Sequence, residues 1–347
     1  MKDIEIYSIK RINDFFEIID QTLLPLEEKY ITISDYKEMI YAIQTLQIRG
    51  APAIGIAAVA AAFLAFKSLI NETIWTEASS AATILKMYDI IKEIEQSRAT
   101  AVNLFFATEK IKNILLKNKD IQTIYDELSH LVDELMSYEY NACRKMAENG
   151  VSFIPDNITK ILTHCNTGSL ATYGIGTALG VIKTMALNRE IEVYVDETRP
   201  LLQGSRLTMW ELYKANINNT LITDNMAAWT IKNKGVQAVI TGADRIAKNG
   251  DTANKIGTFN LAILAKYFQI PFYIIAPEST IDRNILSGNE MIIEERNRAE
   301  VTHIKDVSLT INNPNVFNPS FDITPAGLIT AIITEKKVYD FSSNASQ

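Results

Sequence analysis

Five short apolar runs in the second half of the sequence are each followed directly by polar residues of the kinds that bind ligands or move protons. In an open parallel sheet, ligands bind beyond the carboxyl ends of the strands, so such a fold would bring these segments together. Their convergence is stronger evidence for a functional site than any one of them alone. The segments are 164–169 (HCNTGS), 196–200 (DETRP), 223–225 (TDN), 241–245 (TGADR) and 277–280 (PEST).

Cys165 and Asp244 are the two side chains in these segments best suited to catalysis. A free cysteine is most often a small buried hydrophobe, but a strand end followed by polar residues favours a reactive thiol. An aspartate after a strand commonly caps a turn, whereas in an apolar pocket its pKa would rise and it could hold a proton near neutral pH. The cation of Arg245 beside it would lower that pKa instead. His164 is not expected to pair with Cys165, because adjacent residues of a strand point to opposite faces.

Two further segments have the composition of anion or sugar sites. Arg49, Gly50 and Ala51 precede an alanine-rich helix, whose N-terminus would suit an anion and whose arginine could add a charge-assisted bond to phosphate. An ordinary helix start with a surface arginine is the alternative. Asn254 and Lys255 end a polar stretch, DTANK, that is predicted to be a loop; they could bind a hydroxyl and a phosphate, although a solvated loop is the default for such a stretch.

No nucleotide cofactor is predicted. The string GIGTALG (174–180) resembles a dinucleotide fingerprint, but it begins about ten residues after the preceding strand and lies within a predicted helix over 171–186. Close packing of that helix on the sheet explains its glycines better.

The elements that must position these residues alternate between strands and helices. This alternation predicts βαβ units and a parallel sheet, while residues before about 150 form a few short strands followed by helices, including one after Pro52 and one over 104–146. We therefore predict an α/β protein, with a smaller N-terminal domain of short strands and helices over 1–150 and a Rossmann-like parallel-sheet catalytic domain over 151–347. The predicted strands are 160–163, 192–195, 220–223, 238–241 and 272–276, and the helices between them are 171–186, 206–214, 226–233 and 259–268.

Composition excludes several classes of protein. The 347 residues are 47% apolar, and the net charge of −7 argues against nucleic acid as the main partner, since neutralising phosphates needs clustered cations. Two cysteines exclude a disulfide framework, and three histidines without CxxC or HExxH make a zinc site an unfavoured prediction. The apolar stretch 50–66 is shorter than the roughly 20 residues of a membrane span, so it predicts a core helix. We expect a cytoplasmic setting and no membrane partner.

Six long strings, in order along nearly the whole chain, are similar to the methylthioribose-1-phosphate isomerase family. The resemblance runs from about Asp20 to the C-terminus. The wider superfamily contains ribose-1,5-bisphosphate isomerases and regulatory subunits of a translation-initiation exchange complex, which share the fold. The strings are IRGAPAIGIAAVAA (48–61), THCNTGSLAT (163–172), DETRPLLQGSRLTMWEL (196–212), ITDNMAAW (222–229), ITGADRIAKNGDTANKIGTFNLA (240–262) and NPSFDITPAGLITAIITE (318–335).

The resemblance implies conversion of 5-methylthioribose 1-phosphate to 5-methylthioribulose 1-phosphate in methionine salvage, without a metal or nucleotide. Phosphate blocks the anomeric carbon, so the ring must open with acid assistance and a hydrogen must move from C2 to C1, as a proton or as a hydride. The resemblance makes Asp244 the proton donor and Cys165 the second catalytic residue, and it implies a homodimer. It assigns substrate binding to Arg49, Gly50, Ala51, Arg98, Gln203, Asn254 and Lys255.

Three alternatives stay open at this stage. A 5-deoxyribose 1-phosphate isomerase would carry the same equipment, because an apolar pocket discriminates weakly between a methylthio and a methyl group. A ribose 1,5-bisphosphate isomerase would need more cations near C5. A non-catalytic regulatory subunit would not need to keep the Cys165 and Asp244 pair. The sequence also departs from the family where Ala99 replaces a usual proline in the segment that carries Arg98.

Overall fold

The chain divides into two compact units. The computed structural model describes residues 5–71, 77–98, 102–117 and 120–342, so Ala99 lies outside it. The first unit comprises 5–141 together with 169–175, and the second comprises 142–168 together with the residues from Gly176 onward. The predicted domains, 1–150 and 151–347, differ from these units because 142–150 belongs to the second unit and 169–175 to the first. The predicted domain boundaries stay a prediction.

The first unit combines a small antiparallel sheet with long helices. Its three strands form a meander in chain order, with β1 paired to β2 and β2 paired to β3. The last helix runs on into the second unit from Ala142. The region predicted as one helical segment over 104–146 is two helices. The elements are β1 (Ile9–Ile12), β2 (Phe15–Ile19), β3 (Tyr30–Ile33), α1 (Tyr36–Gln44), α2 (Ala51–Asn71), α3 (Glu77–Ser97), α4 (Val102–Lys117) and α5 (Ile121–Phe153).

Helix α2 is the centre of the first unit's core. Every residue from Ala53 to Phe66 is buried, as expected for a helix that is apolar on all sides. By length and composition α2 could cross a membrane, but 78% of its most apolar window is buried inside the protein, which confirms the predicted core helix. The ring of Phe63 packs against Phe16 and Tyr125, with centroids 6.3 and 5.4 Å away.

Hydrogen bonds from residues near the start of the first unit hold the segment 169–175 in that unit. Ser8 Oγ donates to the carbonyl of Thr172 and Gln21 Nε2 donates to the carbonyl of Leu170, both at 2.8 Å. These bonds explain why residues that follow a strand of the second unit are packed as part of the first.

Truncating Phe63 to alanine should lower the free energy of unfolding by about 3–5 kcal/mol, because it removes a fully buried ring from the core. The control is Phe106→Ala, at a position 52% exposed on α4, where a change within about 0.5 kcal/mol is expected. Urea denaturation of both variants measures the difference. Equal losses at the two positions would contradict the assignment of α2 as the core of this unit.

The second unit contains three sheets. All five predicted strands of the parallel sheet are present, and β15 and β16 extend it beyond the prediction. Five helices of this unit are α6 (Ala178–Met185), α7 (Met209–Lys214), α8 (Ala227–Lys234), α9 (Thr258–Phe268) and α10 (Ala299–Thr302). The strands are β4 (Lys160–Thr163), β5 (Glu192–Asp196), β6 (Asn218–Ile222), β7 (Ala238–Thr241), β8 (Arg245–Ala247), β9 (Thr252–Lys255), β10 (Phe272–Ile275), β11 (Ile281–Asp282), β12 (His303–Ile304), β13 (Val307–Ser308), β14 (Phe321–Thr324), β15 (Ala331–Ile333) and β16 (Val338–Asp340).

The large sheet has the order β16-β15-β10-β7-β4-β5-β6, in which β16 is antiparallel and the other six strands are parallel. This confirms the α/β class and the parallel sheet. From β4 the chain first adds strands on one side, through β5 and β6, and then on the other side, from β7. Ligands bind in open sheets at this switch point, beyond the carboxyl ends of the strands. Cys165 follows β4 and Asp244 follows β7.

Two local predictions are wrong. The helix predicted over 171–186 begins only at Ala178, because Gly174 and Gly176 both have φ of +98°, which is incompatible with a right-handed helix. The stretch DTANK is not a solvated loop, since Thr252–Lys255 form the buried strand β9. That strand lies in a four-stranded sheet of order β11-β8-β9-β14, and its backbone pairs with β8 and β14 on either side.

Candidate active site

Cys165 lies two residues beyond β4 in a left-handed backbone conformation, with φ of +61°, and is 7% exposed. Its amide donates to Thr198 Oγ1 at 2.8 Å, and its carbonyl accepts from Thr208 Oγ1 at 2.6 Å. A non-glycine residue in this conformation costs about 1–3 kcal/mol, and such residues cluster at functional sites where the surroundings hold them. Both peptide groups of Cys165 are held here, so its backbone and the direction of its Cα–Cβ bond are fixed.

Thr198 is itself fixed by the neighbouring strand ends. Its amide donates to Asp224 Oδ1 at 2.8 Å, and the next amide, of Arg199, donates to Asp224 Oδ2 at 2.7 Å. The Thr198 hydroxyl also lies 3.1 Å from the carbonyl of Asp196. The segments that follow β5 and β6 therefore form one hydrogen-bonded support for Cys165.

A buried ion pair supports the same loop from another side. Lys183 Nζ on α6 lies 2.7 Å from Glu211 Oε2 on α7, and neither side chain is exposed to solvent. Glu211 Oε1 accepts a bond of 2.9 Å from the side-chain amide of Asn166, the residue after Cys165. A Cβ at Gly168 would collide with the Glu211 carboxylate, so the loop packs directly on this ion pair.

Asp244 lies three residues beyond β7 and is half-buried. Its amide donates to the carbonyl of Ala253 at 2.9 Å, which fixes its backbone to β9. The neighbouring Arg245 has a carboxylate of its own, Asp282, at 3.9 Å. A Cβ at Gly242 would lie 2.6 Å from Thr167 Cγ2, so the loop that carries Asp244 touches the loop that carries Cys165. The structure thus brings together the two loops that carry the side chains predicted to be catalytic, and their catalytic roles stay a prediction.

Gln203 precedes a short π-helical turn, Gly204–Thr208, a feature that is frequent at functional sites. Its side chain is buried, and among the residues that the structure describes its Oε1 atom has no hydrogen-bond partner. A buried amide oxygen without a partner is costly unless a ligand satisfies it. This observation supports the predicted substrate-binding role of Gln203.

Asn254 and Lys255 are buried at the end of β9. Asn254 Nδ2 donates to Thr258 Oγ1 at 2.9 Å. Lys255 Nζ donates to the carbonyl of Ser320 at 2.9 Å and lies 4.6 Å above the ring of Phe321. Both side chains are therefore held in fixed positions.

The other predicted binding residues belong to the first unit. Arg49 and Gly50 immediately precede α2, Ala51 is its first residue, and Arg98 follows the end of α3. Both arginines are half-buried. Their predicted contacts with the phosphate stay a prediction.

One cluster was missed by sequence reasoning. His164, Asp196 and Asp224 lie at three strand ends, with one ligand-type atom of each within 4.8 Å of the others. These are metal-ligand residue types, but both Asp224 oxygens accept backbone amides and both ring nitrogens of His164 are hydrogen-bonded, to Asp196 and to the carbonyl of Ile256. We therefore interpret the cluster as a hydrogen-bonded one. Asp196 and Asp224 lie in two of the polar segments noted in the sequence, but only the register of the strands shows that they lie close to His164.

Comparison with known proteins gives the class. Residues 47–340 match the model of the Initiation factor 2 subunit family, so the chain belongs to that family. A relative from Petrotoga mobilis is 43% identical over 97% of this chain and 96% of its own length, and one from Caldicellulosiruptor saccharolyticus is 46% identical over 96% and 97%. Both are named methylthioribose-1-phosphate isomerase.

Solved structures carry two different names. A 5-methylthioribose 1-phosphate isomerase from Pyrococcus horikoshii matches with a TM-score of 0.88 and 36% identity, over 96% of this chain and 92% of that one. A translation initiation factor eIF-2B subunit delta from A. fulgidus matches with a TM-score of 0.85 and 36% identity, over 98% and 97%. The fold is therefore shared across the family.

Replacing Glu211 with glutamine should lower the free energy of unfolding by about 3–5 kcal/mol, because the ammonium of Lys183 stays buried without its charged partner. The matched control is Glu148→Gln in the exposed pair with Lys145, where less than about 1 kcal/mol is expected. Denaturant unfolding followed by circular dichroism measures both values. A loss at Glu211 as small as the control would mean that the pair does not anchor the Cys165 loop.

Proposed function

We propose that this chain is a sugar-phosphate isomerase that converts 5-methylthioribose 1-phosphate to 5-methylthioribulose 1-phosphate, in methionine salvage. The observation that carries the proposal is the contact between the Cys165 and Asp244 loops at the switch point of a parallel sheet. The names of relatives 43–47% identical over nearly the whole chain support the same substrate. The strand order, that of Rossmann-like sheets, supports a small ligand at this edge.

The chemistry needs an acid and a second group that acts at C1 and C2. Asp244 protonates the ring oxygen as the bond from that oxygen to C1 breaks, which leaves C1 electron-deficient. The hydrogen on C2 moves to C1, either as a hydride or as a proton that Cys165 removes and returns, and the C2 hydroxyl loses its proton as the carbonyl forms. One proton enters at the ring oxygen and one leaves the C2 hydroxyl, so substrate and product are isomers. No redox cofactor is consumed.

Binding residues divide the substrate between them in this proposal. Gln203 and Asn254 would bond the sugar hydroxyls, and Lys255 would bind an anionic oxygen. Arg49, with the amides of Gly50 and Ala51, and Arg98 would bind phosphate. The buried Oε1 of Gln203 supports the first of these roles.

A regulatory subunit is the second candidate, because the solved structure named translation initiation factor eIF-2B subunit delta is as similar in sequence, at 36% identity, as the isomerase structure. Such a subunit would bind a sugar phosphate or nucleotide without turnover. The strained backbone and doubly fixed peptide groups of Cys165 favour catalysis instead, since residues held in such conformations cluster at active sites.

Cys165→Ser and Asp244→Asn should each lower kcat by about 100-fold or more, since each removes a group that moves hydrogen in the reaction. Cys143→Ser and the exposed Asp306→Asn are matched controls that should retain wild-type kcat. Turnover is measured on 5-methylthioribose 1-phosphate, 5-deoxyribose 1-phosphate and ribose 1,5-bisphosphate, and kcat/KM is compared. Preference for the second or third substrate would reassign the substrate. No turnover of any would favour the regulatory subunit.

We further propose a cytoplasmic homodimer. Neither Cys143 nor Cys165 is in a disulfide, which is typical of proteins in a reducing compartment. Helix α9 presents a row of exposed apolar side chains, Phe259, Ile263 and Tyr267, the last at 77% exposure, and the adjacent helix α8 exposes Trp229 at 68%. Apolar rows on neighbouring helices are typical of protein interfaces, and a second copy of the chain is the partner that we propose.

Trp229→Glu combined with Tyr267→Glu should convert a dimer of 38.9 kDa chains to a monomer, because buried carboxylates oppose association. Leu116→Glu, at an exposed position on α4, is the control and should leave the mass unchanged. Sedimentation velocity measures the mass. A wild-type protein that sediments as a monomer, or a double variant that stays dimeric, would contradict this interface.

A further inference from the structure

His164 connects the ends of three strands of the second unit. It follows β4 directly, its Nδ1 lies 2.9 Å from Asp196 Oδ2 at the end of β5, and its Nε2 lies 2.8 Å from the carbonyl oxygen of Ile256, which follows β9. The ring is buried, and a Cβ at Gly257 would lie 2.8 Å from its Cε1 atom. Gly257, with φ of +104°, therefore leaves the space that the ring occupies.

The hydrogen bonds fix how many protons the pair holds. A carbonyl oxygen only accepts, so Nε2 of His164 carries a proton. The contact between Nδ1 and Asp196 requires one more proton, on the ring or on the carboxyl group. Asp196 is 1% exposed, and its other oxygen, Oδ1, has no partner within the described part of the chain. The pair is thus a buried ring and carboxyl group with one proton between them.

The charged groups around the pair favour retention of that proton. Asp224 faces it from the end of β6, Glu197 from the end of β5, and Asp322 from β14, so its surroundings are acidic. Burial raises the pKa of Asp196 to about 6, although His164 opposes this. Burial alone would lower the pKa of His164, but the hydrogen bond and negative charge of Asp196 outweigh it and raise that pKa.

We propose that His164 is a positioning residue, which holds Cys165 and Lys255 in their working places through its bonds to Asp196 and to the carbonyl of Ile256. His164 is the residue before Cys165 and Ile256 is the residue after Lys255, so each bond fixes the backbone beside a proposed functional side chain. This inference rests on the proposed function, because it uses the roles of those two residues. His164 itself is buried and does not act on the substrate.

Two substitutions separate the two bonds. The side-chain amide of glutamine reaches about as far as Nε2, so His164→Gln keeps the bond to Ile256 and loses the one to Asp196. Asparagine reaches about as far as Nδ1, so His164→Asn does the reverse. We expect His164→Gln to lower kcat about 100-fold through displacement of Cys165. His164→Asn should raise KM about tenfold, because it displaces Lys255. A tenfold change corresponds to the loss of one hydrogen bond between the charged lysine and the substrate.

His130→Gln, at an exposed position in the first unit, is the control and should change neither kcat nor KM. Wild-type values of kcat and KM in both His164 variants would overturn the proposal. It would also be overturned if the two variants lost activity equally and in proportion to a loss of folded protein seen by circular dichroism.

Two measurements need no substrate, so they test positioning separately from the proposed function. Nitrogen-15 spectra of the histidine rings should show a protonated Nε2 in His164 at pH 7, and amide exchange at Cys165 should accelerate in His164→Gln. An unprotonated Nε2 or unchanged exchange would overturn the inference even in an active enzyme. A stoichiometric metal ion removed by a chelator together with activity would also overturn it, because the cluster would then be a metal site.

The pH dependence of stability gives a third test of the inference. Because burial raises the pKa of Asp196 from its ordinary value of 3.8 to about 6, the folded chain binds more protons than the unfolded chain between these pH values. The stability that this group contributes is present below pH 3.8 and is lost as the pH rises to 6. The free energy of unfolding of the wild type, relative to Asp196→Asn, should fall across this window. A rise would mean that Asp196 is paired as an ordinary carboxylate.

Discussion

The left-handed backbone of Cys165 is the constraint on which the site in the second unit depends. An L-residue adopts this conformation only at a cost of about 1–3 kcal/mol, so the conformation persists because two threonine hydroxyls hold both peptide groups. One of these, Thr198, is held in turn by Asp224. The ends of β4, β5 and β6 thereby become one hydrogen-bonded unit, which fixes the backbone that carries the thiol before any ligand binds. Fixed groups of this kind need no reorganisation during a reaction.

Two buried clusters of charged side chains are linked to this unit by hydrogen bonds. Lys183 and Glu211 support Asn166, while His164 and Asp196 link β4 to β5 and β9. Each cluster is expensive to bury and would be unfavourable without its full set of partners. Neither is expected to contribute much net stability. Their value lies in geometry, because a charge that can be satisfied in only one arrangement excludes the others.

Sequence patterns predicted the parallel sheet because its strands are short β-branched runs between helices. They failed where backbone conformation or distant pairing decides the outcome. Positive φ at Gly174 and Gly176 delays to Ala178 the start of a helix that apolar spacing alone would begin at 171, and the polar stretch DTANK is a buried strand because β8 and β14 flank it. The His164–Asp196 pair follows from the register that places Thr163 beside Val195, which no local signal contains. Strand ends and family resemblance predicted the residues that we propose to be reactive, whereas no sequence signal predicted the residues that support them.

The late position of β14 along the chain has a consequence during synthesis. Lys255 donates to the carbonyl of Ser320, a residue 65 positions further on, and the amide of Gly257 donates to Asp322. Ribosomes add about 5–20 residues per second, so roughly 3–13 s separate the appearance of the lysine from that of its partner. Throughout that interval a nascent chain can form the first strands of its large sheet while Lys255 and Gly257 lack the partners that fix them. Their final arrangement is reached only after β14 has been synthesised.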